Sequence, residues 1–140
     1  MTQFSANLGF LWTDRPLVDA IHAAHAAGFD AVECHWPYDH DPADVKAALD
    51  ATGLAMLGLN TLRGDVAGGD NGLAAIPGRE DEARAVIDRA IAYAGAINTP
   101  KIHAMAGFAE GQLAEACFID NLRYATGAAP DITFLIEPLN

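Results

Sequence analysis

Positive charge is scarce in this 140-residue chain. Eight lysines and arginines face 19 aspartates and glutamates, for a formal net charge of −11. Such a surface repels a phosphate backbone and an anionic lipid face, which excludes nucleic-acid and membrane-surface binding as leading readings. Long apolar runs are absent too: nothing approaches the ~18–20 residues that span a bilayer. The start, Met1-Thr2-Gln3-Phe4, lacks the basic segment and apolar stretch of a secretory leader. Cysteine is limited to Cys34 and Cys117, far apart and outside any CxxC or zinc spacing, so both read as small buried side chains in a reduced, cytoplasmic setting. Neither GxGxxG nor GxxxxGK[ST] is present, which removes the best mark of a nucleotide-binding sheet. What is abundant is apolar residues, 51% of the chain, enough for a core.

Their periodicity alternates. Residues 4–8 (Phe4-Ser5-Ala6-Asn7-Leu8) form a short apolar segment. Asp14-Arg15-Pro16 opens a helix with proline in its first turn, which carries Leu17, Ile21, Ala24 and Ala27 and closes at Gly28. Residues 30–35 predict a second strand. Asp41-Pro42 supplies an N-cap and N1 proline for a helix through Val45, Ala48 and Leu49 that ends near Gly53. Residues 54–60 (Leu-Ala-Met-Leu-Gly-Leu-Asn) predict one continuous buried strand. A glycine-rich stretch follows. Ala83, Ile87, Ala90, Ile91, Ala94 and Ile97 then mark a helix, residues 101–105 a fourth strand, and Ala114, Phe118, Leu122 and Ala125 a fourth helix. Residues 132–137 predict a fifth strand, halted by Pro138.

Strands alternating with amphipathic helices predict an α/β fold with a parallel sheet and right-handed crossovers. The expected architecture is the N-terminal part, first to fifth strand, of a (β/α)8 TIM barrel, a fold that needs about 250 residues. Residues 1–140 are expected to be a single domain, truncated after the fifth strand.

Catalytic groups of such barrels sit at the C-terminal ends of strands. That rule selects Asn7, Glu33, His35, Asn60, His103 and Glu137. Glu137 ends an Ile-Thr-Phe-Leu-Ile run, where a carboxylate either reaches solvent or is held in a site by a partner or metal. His103 is either a core histidine bonded to a carbonyl or a pocket residue. His35 precedes Trp36-Pro37-Tyr38, aromatics that line a pocket or simply pack, as Phe10 and Trp12 do. His22 and His25 lie on the first helix and are assigned no role. His40, between Asp39 and Asp41, is a solvated turn or a cation site. In the long loop after Asn60, Arg63 either pairs with Asp65 or holds a substrate carboxylate through its planar fork.

Several stretches together resemble the hydroxypyruvate isomerases, among the xylose-isomerase-like TIM barrels. They are Phe4-Ser5-Ala6-Asn7-Leu8, Gly28-Phe29-Asp30-Ala31-Val32-Glu33, Trp36-Pro37-Tyr38, Arg63-Gly64-Asp65, the run from Gly72 to Glu80, His103-Ala104-Met105-Ala106-Gly107, Asn121-Leu122-Arg123-Tyr124-Ala125 and Leu135-Ile136-Glu137-Pro138-Leu139-Asn140. The resemblance implies an aldose–ketose type isomerase interconverting hydroxypyruvate and 2-hydroxy-3-oxopropanoate. In it two glutamates, one per barrel half, move a proton through an enediolate. Glu137 matches the first, as catalytic base and metal ligand. A divalent cation, Mg2+ or Mn2+, would take its other ligands beyond residue 140. Asn7, His35, Asn60, Arg63 and His103 are the expected substrate-binding residues, and the partner a small hydroxy-keto acid or sugar. Two alternatives stay open: a keto-sugar epimerase or isomerase on the same scaffold, and a non-catalytic half-barrel that pairs with a copy of itself as a homo-oligomer to cover its open sheet edges.

Overall fold

The computed structural model describes residues 1–138; Leu139 and Asn140, the last two positions of the isomerase-like stretch, lie outside it. Helix ends follow the expected chemistry. Helix α2 (Pro42–Thr52) starts at Asp41, whose carboxylate accepts the Ala43 N–H at 2.8 Å, and stops at Gly53, whose φ of 72° only glycine adopts without strain. Helix α1 (Leu17–Ala26) begins one residue later than the proline signal suggested, because Pro16 with ψ of 150° still belongs to the incoming extended chain. Gly28 lies just past the α1 cap rather than on it. Its N–H reaches the His25 carbonyl and the Phe29 N–H the Ala24 carbonyl, the paired bonds of a Schellman ending. Helix α3 (Glu80–Ala96) ends the same way, with Asn98 as the left-handed residue. Helix α4 spans Gln112–Ala128. No helix among the described residues is long and apolar enough to cross a membrane.

The strands are β1 (Ser5–Asn7), β2 (Ala31–Glu33), β3 (Ala55–Met56), β4 (Leu59–Asn60), β5 (Lys101–His103) and β6 (Thr133–Leu135), and every pairing between them is parallel. They run in the order β1-β2-β3 and β4-β5-β6, in keeping with the N-terminal part of a barrel. All are shorter than the apolar runs that predicted them. The expected continuous strand over residues 54–60 is interrupted. Leu57 N–H bonds the Val32 carbonyl and Asn60 N–H the His35 carbonyl, while the Gly58 carbonyl takes Cys34 N–H, so the ladder is irregular around Leu57–Gly58. Met56 and Leu59, three residues apart, are both buried in the core, so this bulge inverts which face the following residues present.

One face of the strands is sealed. Ala6, Val32, Met56, Leu59 and Ile102 are at most 2% exposed, packed with Ile21 and Ala24 of α1, Val45 and Leu49 of α2, and Ala90 and Ala94 of α3. The alternate residues face the other way: Ser5, Asn7, Glu33, Lys101, His103, Thr133 and Leu135 share the face that a closed barrel turns inward.

The long segment 61–79 is tied down at several points. Arg79 holds Asp70 through two bonds of 2.7 and 2.8 Å, and Asp70 accepts the Asp65 N–H. Gly72 bridges antiparallel to Ala106 at φ 122°, where a Cβ would collide with the Met105 and Gly107 backbone at 2.6 Å. Gly72→Ala is therefore expected to cost at least about 1–3 kcal/mol through strain and displaced backbone, read as a lower urea midpoint. Asp41→Ala should cost about 1 kcal/mol and Asp41→Asn much less. Equal midpoints for these two variants would remove the capping role.

Candidate active site

Strand ends converge on a cavity of about 520 Å³ on the inward face, lined by Asn7, Glu33, His35, Asn60, His103 and Glu137, with Phe10, Trp36, Met105 and Leu135. The bulge is what brings Asn60 here: it pairs with His103, while Leu59 pairs with Ile102 on the sealed face. Glu137 follows β6 by two residues rather than ending it. Its carboxylate stands 62% exposed, with Oε2 3.7 Å from Nδ1 of the buried His103. His103 thus faces a carboxylate across the cavity instead of a backbone carbonyl.

His35 stands between two aromatic rings. Phe10 meets it edge-on at 4.9 Å and Trp36 at 5.1 Å between centroids. Gly9 makes room for it, since a Cβ there would overlap the imidazole. No sequence motif marked Gly9; only the approach of a ring from a neighbouring strand shows why it is glycine. Trp36 donates its indole N–H to the Thr61 carbonyl at 3.2 Å and carries the Arg63 guanidinium over its ring at 4.0 Å. Arg63 does not pair with Asp65; that carboxylate instead accepts the Gly68 N–H within its own turn. Asn7 uses its side-chain oxygen to accept the Gly9 N–H at 2.9 Å, shaping the loop that carries Phe10. Glu33 accepts the Ser5 hydroxyl at 3.2 Å. Thr61, not singled out from sequence, is buried and holds the Met105 N–H, which joins the strand end before Arg63 to the one after His103.

Trp12 packs edge-on against Phe29, away from this cavity. His40 lines a separate, smaller cavity of about 230 Å³ with Trp12, Arg15 and Pro37, and its carbonyl accepts the Tyr93 hydroxyl. Cys34 is buried, and desolvation pushes its thiol up to about 12, so it stays protonated. Cys117 is likewise buried and raised by desolvation. Among the described residues no three His, Cys, Asp or Glu side chains converge as a metal site.

Both cavity histidines are held below the ordinary imidazole value, first by desolvation. Glu33 and Glu137 pull His35 back up, and Glu137 does the same for His103. The rings are therefore neutral near pH 7 and able to accept or donate one hydrogen bond at each nitrogen.

The xylose isomerase-like TIM barrel model matches residues 21–140. The chain belongs to that family. It is 43% identical to a 2-oxo-tetronate isomerase of Cupriavidus necator, covering 100% of this chain and 56% of that protein. It is 39% identical to the hydroxypyruvate isomerase of Escherichia coli, covering 100% of this chain and 57% of the relative. It thus spans about half the length of the curated relatives it matches. A crystal structure of a family 2 AP endonuclease from Brucella melitensis superposes with a TM-score of 0.92 at 40% identity, over 100% of this chain and 56% of that one. A D-allulose 3-epimerase from Methylomonas sp. superposes at 0.75 with 19% identity over 99% of this chain and 52% of that one, a likeness of fold.

The depressed histidines have a thermodynamic consequence. The unfolded chain binds protons at these rings that the folded xylose isomerase-like chain does not. Their contribution to stability is complete above the unfolded value of 6.5 and is lost as pH falls below it. NMR titration should show both rings titrating below 6.5. Glu137→Gln should lower His103 further, because the carboxylate that raises it is gone. A rise on that substitution would mean that Glu137 does not act on the ring.

Proposed function

We propose that this chain supplies the first half of the active site of an aldose–ketose type isomerase acting on a small 2-oxo acid, with hydroxypyruvate and 2-hydroxy-3-oxopropanoate as the interconverted pair. The observation that carries this reading is the placement of Glu137, an exposed carboxylate at the mouth of a half-buried polar cavity in a fold whose relatives are named isomerases. In this reading Glu137 removes a proton from the hydroxymethyl carbon of hydroxypyruvate. The electron pair moves into an enediolate across that carbon and its neighbour. Return of the proton to the neighbouring carbon, with transfer of the hydroxyl proton to the former carbonyl oxygen, moves the carbonyl by one position. No atom is gained or lost.

A positioned carboxylate base contributes typically ~10²–10⁴-fold to such a step. The neutral His35 and His103 rings and the Asn60 amide supply hydrogen bonds to the two oxygens, where charge develops. Glu137 is also the ligand that this chain would bring to a Mg2+ or Mn2+ ion, the other ligands coming from beyond residue 140; such an ion supplies Lewis-acid stabilisation of an enediolate.

A longer substrate, 2-oxo-tetronate, is suggested by the Cupriavidus relative, named a 2-oxo-tetronate isomerase, and by a cavity of about 520 Å³. Both acids share the oxo group beside a carboxylate. In the complete protein, Glu137→Gln should lower turnover of hydroxypyruvate by on the order of 10³-fold while leaving the thermal unfolding curve in place. Rates close to wild type in that variant would remove Glu137 from the reaction. Absence of any aldose–ketose interconversion by the intact protein with either acid would overturn the isomerase reading and favour a non-catalytic half-barrel.

A further inference from the structure

Eight cationic side chains serve this acidic chain, and most are occupied. Arg15, Lys46, Arg79 and Arg123 each pair with a carboxylate on their own segment or the next. Arg89 donates to the Tyr38 carbonyl, Arg84 lies against the Tyr124 ring, and Lys101 is at the opposite end of its strand from the cavity. Arg63, like Arg84, has no carboxylate within 4.0 Å and no hydrogen bond on its fork among the described residues; what sets it apart is its place, half-buried and stacked over Trp36, which lines the cavity.

We infer that Arg63 is the carboxylate-recognising group of this site and sets its preference for 2-oxo acids over neutral sugars of the same size. The inference rests on the isomerase reading and names the substrate feature that reading leaves open. Stacking uses the π face of the guanidinium and leaves its in-plane N–H donors free, the edge that binds a carboxylate bidentately. Trp36 is itself held, by the indole bond to Thr61 and by His35, which meets it edge-on and is met edge-on by Phe10, so the fork is placed before a ligand arrives. The Gly72 N–H bonds the Arg63 carbonyl, which fixes the backbone from the other side.

Charge makes the assignment specific. The cavity wall carries the carboxylates of Glu33 and Glu137. An anionic substrate entering this wall is repelled unless a cation offsets it, and Arg63 is the cation beside it. The cavity lining includes both Trp36, on which Arg63 stacks, and Glu137, the proposed base.

The test compares hydroxypyruvate with dihydroxyacetone, the same skeleton with a hydroxymethyl group in place of the carboxylate. In the complete protein, Arg63→Met should lower the ratio of kcat/KM for the acid to that for the neutral ketone by on the order of 100-fold, chiefly through KM, with Arg63→Lys intermediate. Equal losses on both substrates, or no loss on the acid, would overturn the inference. A second measurement is independent of turnover: binding of tartronate, an unreactive three-carbon dicarboxylate, followed by tryptophan fluorescence. Arg63→Met should weaken it on the order of 100-fold at an unchanged melting temperature. If the protein isomerises neither substrate but Arg63→Met still loses tartronate, the isomerase reading fails and the carboxylate site stands. Unchanged tartronate affinity removes Arg63 from recognition whatever the activity.

Discussion

Everything in this half-barrel depends on the two-residue alternation of its parallel strands. One set of side chains, Ala6, Val32, Met56, Leu59 and Ile102, is driven out of water against three helices. The other set is thereby obliged to face inward, and it carries the polar groups: Asn7, Glu33, Asn60 and His103. A bulge at Leu57–Gly58 reverses that alternation midway through the third strand position, leaving Met56 and Leu59 both in the core. Without it, Asn60 would point at the helices and Leu59 into the cavity. The apolar core and the polar site are two consequences of one geometric rule, locally inverted where the site needs an amide.

The cavity combines opposite electrostatic demands. It carries the carboxylates of Glu33 and Glu137, while Arg63 stands beside it with its fork unpaired among the described residues. Stacking on an indole allows this. The aromatic face attracts the guanidinium without satisfying its hydrogen bonds, and the indole is itself bonded to the strand end that precedes Arg63. Proximal carboxylates that would compete are engaged elsewhere, Asp65 in its own turn and Asp70 by Arg79.

The segment 61–79 is long for a strand–helix connection, yet it is built as a framework. Leu73, Ala74 and Ala75 are buried and donate their N–H groups to the Met105 and Ala106 carbonyls just after β5, and the buried Asn121 of α4 donates to the Ala74 carbonyl at 2.9 Å. A loop with that many backbone anchors holds its functional residue near the strand, where Arg63 is only three positions beyond Asn60.

The order of strands and helices, the capping at Asp41 and Gly53, and the carboxylate ending the last apolar run were all legible in the chain, because each rests on local chemistry: periodicity, a side-chain cap, a residue tolerant of positive φ. So was the set of strand-end residues, since the rule that collects them needs only strand direction. Three things were decided by tertiary structure alone. The bulge lies within a run of apolar residues whose hydrophobicity cannot report a register shift against β2. Gly9 is glycine because the His35 ring crosses it, a contact 26 residues away in sequence. Arg63 had two partners open to it, and the choice of the indole depended on where β2 places Trp36 relative to the start of the long loop. Local pattern determines which elements form and which residues end them; which of those residues meet is fixed by pairing across the sheet, where interactions have no counterpart in sequence spacing.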